Sequence, residues 1–389
     1  MKNPSFPFTA ALPSILIFGA LALLPLVSDP FRVPLFGKYL AFAFVAIGIV
    51  LIWGYCGILS LGQGIFFGIG AYALAMYLKL EASAPELPDF MVWSSVEQLP
   101  LWWQPFHSLA FALATILLLP ALVSFPLSYL IFRKRVSGVY FAILTLALAL
   151  TLTVMIIGSQ GETGGANGIT DFSTLAGIDV ASDEARARWY YVQLVLLAVA
   201  AGCVAWLIHA RFGKVLIAIR DREDRVRFSG YDTALYKAFS FAVASVLASV
   251  GGAMFVLFTG LITPQLVGAV ASVEIVIYAA FGGRMSILGA IVGAFLIGWL
   301  KSTLSETFPE LWLFFLGALF LLVTAVLPDG LAGIVAALRS RRQPSEAEAE
   351  SRRSAADEAK PDRIEGPMPA AGGVDGSIAP KRLRTGGLT

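Results

Sequence analysis

An all-α bundle that crosses a membrane about ten times is the fold class this sequence predicts, and three observations predict it. Of the 389 residues, 58% are hydrophobic and only 14% charged, with a mean hydropathy of +0.79, a balance that suits a surface facing lipid. Apolar runs of span length recur through the chain. In hydrocarbon each run must satisfy its own backbone hydrogen bonds, and runs of this length do so as helices rather than barrel strands. The net charge of +2 is small and the basic residues are scattered, so no nucleic-acid-binding face is expected. Cys56 and Cys203 fall inside predicted spans, where a thiol packs as a small hydrophobe and no disulfide is expected.

Lys2 followed by the apolar run Ala11 to Val27 has the outline of a secretory leader. No clear small-x-small cleavage site ends it, so it is read as a retained first span. Further spans are predicted near 38–56, 58–78, 107–132, 138–158, 190–209, 237–260, 268–282, 286–303 and 311–327. The segment 268–282 is short for a hydrocarbon core of about 30 Å, and reads as tilted, half-inserted or paired with its successor in a helical hairpin about Gly282 and Gly283. With both termini in the cytoplasm, fifteen basic residues fall inside. Six fall outside: Arg32, Lys38, Lys79, Arg186, Arg188 and Lys301.

Two outer loops, 79–106 and 159–189, are long enough to hold structure. Trp93, Trp102 and Trp103 suit the headgroup level in the first. The second carries Gly161, Gly164, Gly165 and Gly168 but lies on the wrong side for ATP, and the chain contains no G-x-x-x-x-G-K-[ST]. Nucleotide hydrolysis, a catalytic centre and a metal site are therefore not expected. From about Ser340 the composition turns to Arg, Glu, Ala, Pro and Gly. It predicts a disordered cytoplasmic tail over 340–389, following a membrane domain of 1–339.

Polar and small residues inside the spans mark the candidate site. The stretch 57–72 holds five glycines and a glutamine, and Gly64 and Gly68 share one helix face, open to close approach by another backbone. Helix packing alone accounts for such glycines; Ser60 and Gln63 add polar groups at membrane depth that suit a translocation path. A weaker copy at 286–294 would be a parallel repeat. Glu274 is the clearest ionisable residue inside a span, with a structural or a pathway role open to it. Arg284 lies about 15 Å further along an ideal helix, too far for direct pairing unless a hairpin folds back.

The segment 211–237 carries six consecutive charges, Arg220, Asp221, Arg222, Glu223, Asp224 and Arg225. Asp221 with Arg225 and Glu223 with Arg227 are i,i+4 pairs in the favourable order, and Gly230 is placed to end a helix. The expectation is a short cytoplasmic helix whose mixed apolar and charged face docks on another protein.

These residues resemble a known family. GYCGILSLGQGIFFGIGAY at 54–72, AIRDREDRVRFSGYDTALYKAFSF at 218–241 and SVEIVIYAAFGGRMSILGAIVGA at 272–294 are similar to segments of the permease subunits of ATP-binding-cassette importers of the branched-chain amino acid type. FMVW at 90–93, LPLWWQPF at 99–106 and NGITDF at 167–172 look like the members assigned to urea. Met285 stands where that family commonly has a glycine.

The resemblance implies a multi-pass permease of the bacterial inner membrane, paired with a second, homologous permease. It also implies two cytoplasmic ATPase subunits that hold ATP and magnesium, and an extracytoplasmic solute-binding protein. Urea is the solute it points to, with a branched-chain amino acid as the alternative. Ser60, Gln63 and Asn167 are the kinds of group a neutral solute needs, and Arg220 to Arg225 with Gly230 fall in the ATPase-coupling segment. A different class, an ion-coupled transporter or channel working through Glu274, would call for several intramembrane acids; a membrane scaffold would not need the polar glycine-rich span.

Overall fold

The computed structural model describes residues 8–136, 138–172, 174–180 and 182–311, with short stretches between 314 and 333. The described residues belong to a first unit, Met1–Leu338; the second, Arg339–Thr389, which holds the predicted tail, lies outside them, as does most of the predicted span at 311–327.

The elements run α1 (Phe8–Val27), α2 (Val33–Ile49), a π-turn (Val50–Tyr55), α3 (Gln63–Ser83), α4 (Asp89–Trp93), α5 (Leu109–Arg133), α6 (Val139–Gly158) and α7 (Gln160–Thr163). A two-residue hairpin, β1 (Thr174–Leu175) with β2 (Ile178–Asp179), precedes α8 (Asp183–His209), α9 (Arg211–Phe228), α10 (Thr233–Thr259), α11 (Ala269–Gly282) and α12 (Ile287–Thr307). Seven of these are long and apolar enough to cross a bilayer, among them α2 with its π-turn, α3 and α10; α1 and α11 are shorter apolar helices. At 14 residues α11 is about 21 Å long, too short to cross alone.

Burial sorts the helices into a centre and a rim. The apolar windows of α2, α3 and α10 are 89%, 78% and 72% buried, against 22% for α5 and α6. The central three meet at small residues: a side chain on Gly70 would strike the Ser249 carbonyl, and one on Gly252 the Phe67 carbonyl. At Gly48 a Cβ would lie 3.1 Å from the Ala244 backbone. Phe42, Phe67, Phe255 and Tyr278 fill the junction with α11, Phe42 and Phe67 stacking at 5.4 Å. The hairpin of α11 and α12 is equally close, since Gly282 and Gly289 lie backbone to backbone. Met285 leaves that contact intact because its side chain turns away from it, toward Arg220.

Proline inside α1 shows how the bilayer constraint is met. Pro25 has no N–H for the Leu21 carbonyl, and the Tyr190 hydroxyl of α8 donates to that carbonyl at 2.8 Å, with Tyr191 donating to Ala22 O at 3.2 Å.

One predicted boundary is corrected. The span expected at 58–78 begins as a helix only at Gln63, because Gly57 adopts φ +75° and Gly62 precedes the helix in a non-helical conformation, leaving 57–62 unwound. Unwound backbone at membrane depth survives only where protein satisfies it. Here Leu61 N donates to Thr145 Oγ1 at 3.1 Å, Gly62 N to Ser60 Oγ at 3.3 Å and Gly64 N to Ser272 Oγ at 3.1 Å.

The α3–α10 crossing yields a direct test. Gly252→Val should overpack it and cost about 1–3 kcal/mol, read as a lower unfolding temperature of the detergent-solubilised protein, whereas Gly202→Val, on α8 where a Cβ meets nothing within 4 Å, should leave that temperature unchanged.

Candidate functional site

Ser60 and Gln63, both 1% exposed, are brought together by the unwound segment and the first turn of α3. Gly64 and Gly68 do admit close neighbours: Cβ atoms there would lie 2.6 Å from Ser272 Oγ and 2.5 Å from the Val267 side chain. Small residues thus seat the segment before α11 against α3. The Gln63 carboxamide is unusual, since neither Nε2 nor Oε1 has a partner among the described residues.

A second set of contacts ties this segment to α9. Arg220 Nη1 donates to the Gly54 carbonyl in the π-turn at 2.7 Å and approaches Met285 Sδ at 3.1 Å. Its side chain covers Gly57, where a Cβ would lie 2.8 Å from Arg220 Cγ, and Tyr55 donates its hydroxyl to Met285 O at 3.1 Å. Arg220 therefore clasps the π-turn to the α11–α12 turn, next to the unwound residues.

Helix α9 differs from expectation at its middle. Arg222 is non-helical, φ −152° and ψ 77°, so the backbone breaks inside the charged run. Asp221 and Arg225 flank the break and do not pair; Asp221 instead accepts from Arg220 Nε at 3.0 Å. The second expected pair lies beyond the break, with Glu223 and Arg227 3.0 Å apart. Glu223 also accepts from Lys237 Nζ at 2.5 Å and Thr233 Oγ1 at 3.0 Å, which folds α9 onto the start of α10. Asp232 caps α10 through Ala234 N at 3.0 Å, and Gly230, φ +88°, makes the turn between the helices. Asp221, Arg222, Asp224 and Arg225 remain exposed, as does Phe228 at 92%.

Burial raises the Glu223 pKa, but the hydrogen bond and charge of Lys237, the Thr233 hydroxyl and the Arg227 charge together outweigh it and hold the carboxyl below its usual range.

Glu274, 6% exposed, is paired. Lys301 Nζ lies 2.7 and 2.8 Å from its two oxygens, and the Tyr278 hydroxyl donates to Oε1. Lys301 is thus no outer-loop residue. It sits inside α12, and folding of the α11–α12 hairpin brings it to Glu274. Lys38 and Lys79 likewise sit within α2 and α3; Lys79 is 4% exposed and paired with Asp89 at 3.1 Å. A cation on a span needs a polar pocket, and each has one.

Asn167 is not drawn into the buried group. It stands exposed on a turn held by Ile169, whose backbone pairs with Ile262 at 3.0 Å in both directions. The outer loops are fastened by Trp103 Nε1 donating to Glu162 O at 2.8 Å and by Glu81, whose carboxylate accepts from Ala176 N at 2.9 Å and Gly177 N at 2.5 Å. Trp93 and Trp102 are exposed, as interfacial residues would be.

A family model described as the permease component of branched-chain amino acid transport systems matches residues 34–324. The chain belongs to this permease family. Its relatives include the high-affinity branched-chain amino acid transport system permease proteins LivM of Salmonella typhimurium and of Escherichia coli, each 24% identical over 74% of this chain. The match spans 66% of the length of each relative. No solved structure matches. The chain is thus a multi-pass inner-membrane permease component and not an enzyme.

Sequence reasoning missed Lys301, Tyr278 and Lys38 in this permease. Tyr278 was within reach as the i+4 neighbour of Glu274, and Lys301 as an ionisable residue in an apolar run. Lys237 and Thr233 were also missed as anchors of Glu223, because both act across the Gly230 turn.

The Glu223 pKa fixes the sign of a pH effect. A depressed carboxyl stabilises the α9–α10 contact above its unfolded pKa, about 4.3, and loses that contribution as pH falls through the lower folded value. A nitroxide at position 229 should stay immobile at neutral pH and become mobile only in acid, while Glu223→Gln should be mobile already at neutral pH, as read by electron paramagnetic resonance.

Proposed function

We propose that this permease forms the translocation path of an ATP-driven importer and that its solute is urea. Gln63 carries the choice of solute. Among the described residues each end of its buried carboxamide lacks a partner, and such a group costs about 1–3 kcal/mol until something binds it. One carbonyl and one amino group are the complement of urea's own N–H and carbonyl groups. No charged residue occurs between positions 57 and 72, a stretch whose polar groups are uncharged and suit a neutral solute better than the two charges of an amino acid. Ser60 adjoins this site, and Asn167 offers the same amide chemistry on the outer loop.

The chain's charge placement supports an arrangement with α9 in the cytoplasm. A second, homologous permease would complete the membrane part. Two ATPase subunits, holding ATP and magnesium, would dock on the exposed charges of Arg220 to Arg225, and a binding protein would deliver solute from the other side. Closure of the ATPases would push α9, and Arg220 would pass that displacement to the π-turn and the unwound segment. The pairing of Glu274 with Lys301 favours a structural carboxylate over an ion-coupling one.

The printed names of the relatives favour a second reading, branched-chain amino acids. Uptake of labelled urea and labelled leucine in cells carrying the full subunit set separates the two. Urea uptake is expected, and Gln63→Leu should lower it about tenfold, the equivalent of one hydrogen bond of about 1.4 kcal/mol. Leucine uptake without urea uptake would decide for the relatives' solute.

A further inference from the structure

At the end of the bundle remote from Arg220, a cavity of about 190 Å³ lies between α2, α11 and α12. Lys38, on its wall, precedes Gly54 by sixteen residues, about 24 Å along an ideal helix. The volume matches about six water molecules, room for a small polar solute with part of its hydration. Lys301, Ser302, Ser305 and Glu306 line it from the last turns of α12, and Tyr39, Phe42 and Tyr278 close it inwardly.

The groups on this wall differ in how far they are engaged. Lys301 is held by both oxygens of Glu274, and the Ser302 hydroxyl accepts from Tyr39 at 2.6 Å. Lys38, half-buried, makes no ion pair or hydrogen bond among the described residues, and neither does Ser305. The cavity therefore offers one strong donor, Lys38 Nζ, beside hydroxyl oxygens able to accept. The carboxylate on its wall, Glu306, stands at the exposed rim, and Glu274, which lies behind Lys301 and Tyr278, is already occupied by both. An ammonium group entering here would find no free desolvated carboxylate. A carbonyl oxygen would take the Lys38 proton, and amide N–H groups would donate to the Ser302 and Ser305 oxygens.

The floor joins this cavity to the Gln63 site. Phe42 stacks on Phe67, and Phe67 follows Gln63 by four residues, on the same face of α3. From these observations we infer that the cavity is a separate station for a small neutral amide, with its carbonyl on Lys38, held in front of the closed Phe42–Phe67 stack. The inference rests on the urea reading for its solute but on different residues for its site.

The test uses the complete importer. Lys38→Met should raise the KM for urea at least fivefold while the maximal rate per inserted transporter stays within twofold, and Ser305→Ala should move KM in the same direction by a smaller factor. In a Lys38→Cys variant, urea should slow labelling of the thiol by a small polar maleimide and leucine should not. Should Lys38→Met fail to insert, Ser305→Ala and the labelling experiment still decide. An unchanged KM in the inserted variants, or labelling insensitive to urea, overturns the station while leaving urea transport by the wild type standing. Wild type that carries leucine and not urea overturns the urea reading, and leucine protection of the thiol in the Lys38→Cys variant would then replace the amide with a zwitterion.

Discussion

Helices α3 and α10 cross where neither leaves room for a side chain on the other. Lipid tails are as apolar as leucine, so helices in a bilayer gain little from hiding apolar surface and must gain from close packing instead. Gly70 against Ser249 and Gly252 against Phe67 supply that closeness, and the polar features hang from the two helices so joined. Gln63 opens α3, and Lys237, near the start of α10, holds Glu223 and with it α9. The aromatic junction of Phe42, Phe67, Phe255 and Tyr278 fills the space beside the crossing.

Features set by neighbouring residues were legible in the sequence. Apolar runs became helices, the shortness of 268–282 became the 14-residue α11, and the i,i+4 spacing of Glu223 and Arg227 became an ion pair. Features set by distant residues were not. Glu274 and Lys301 meet across 27 positions only once the α11–α12 hairpin has folded. The Asp221–Arg225 spacing misled because it assumes a continuous helix, and the backbone breaks at Arg222. The unwound 57–62 segment is intermediate: its glycines were visible, but the Thr145 and Ser272 hydroxyls that satisfy it come from α6 and α11.

Charge in this bundle follows one economy of neighbours. Lys79 meets Asp89, Lys237 meets Glu223 and Lys301 meets Glu274, each across a turn or between helices. An ion pair with its hydrogen bonds satisfied is tolerable in low dielectric, and breaking one leaves a charge that the surroundings cannot screen. Among the described residues Lys38 departs from this pattern, and it faces a cavity.

The π-turn at Val50–Tyr55 has a mechanical meaning. A π-turn carries one residue more than an α-turn, so this stretch stores slack in a helix that is otherwise fully packed. Migration or release of that residue would rotate the following backbone by about 100° and shift it by about 1.5 Å. Arg220 grips the turn at the Gly54 carbonyl. The clasp thus holds one phase of the turn, and with it the setting of the unwound segment and of Gln63 behind it.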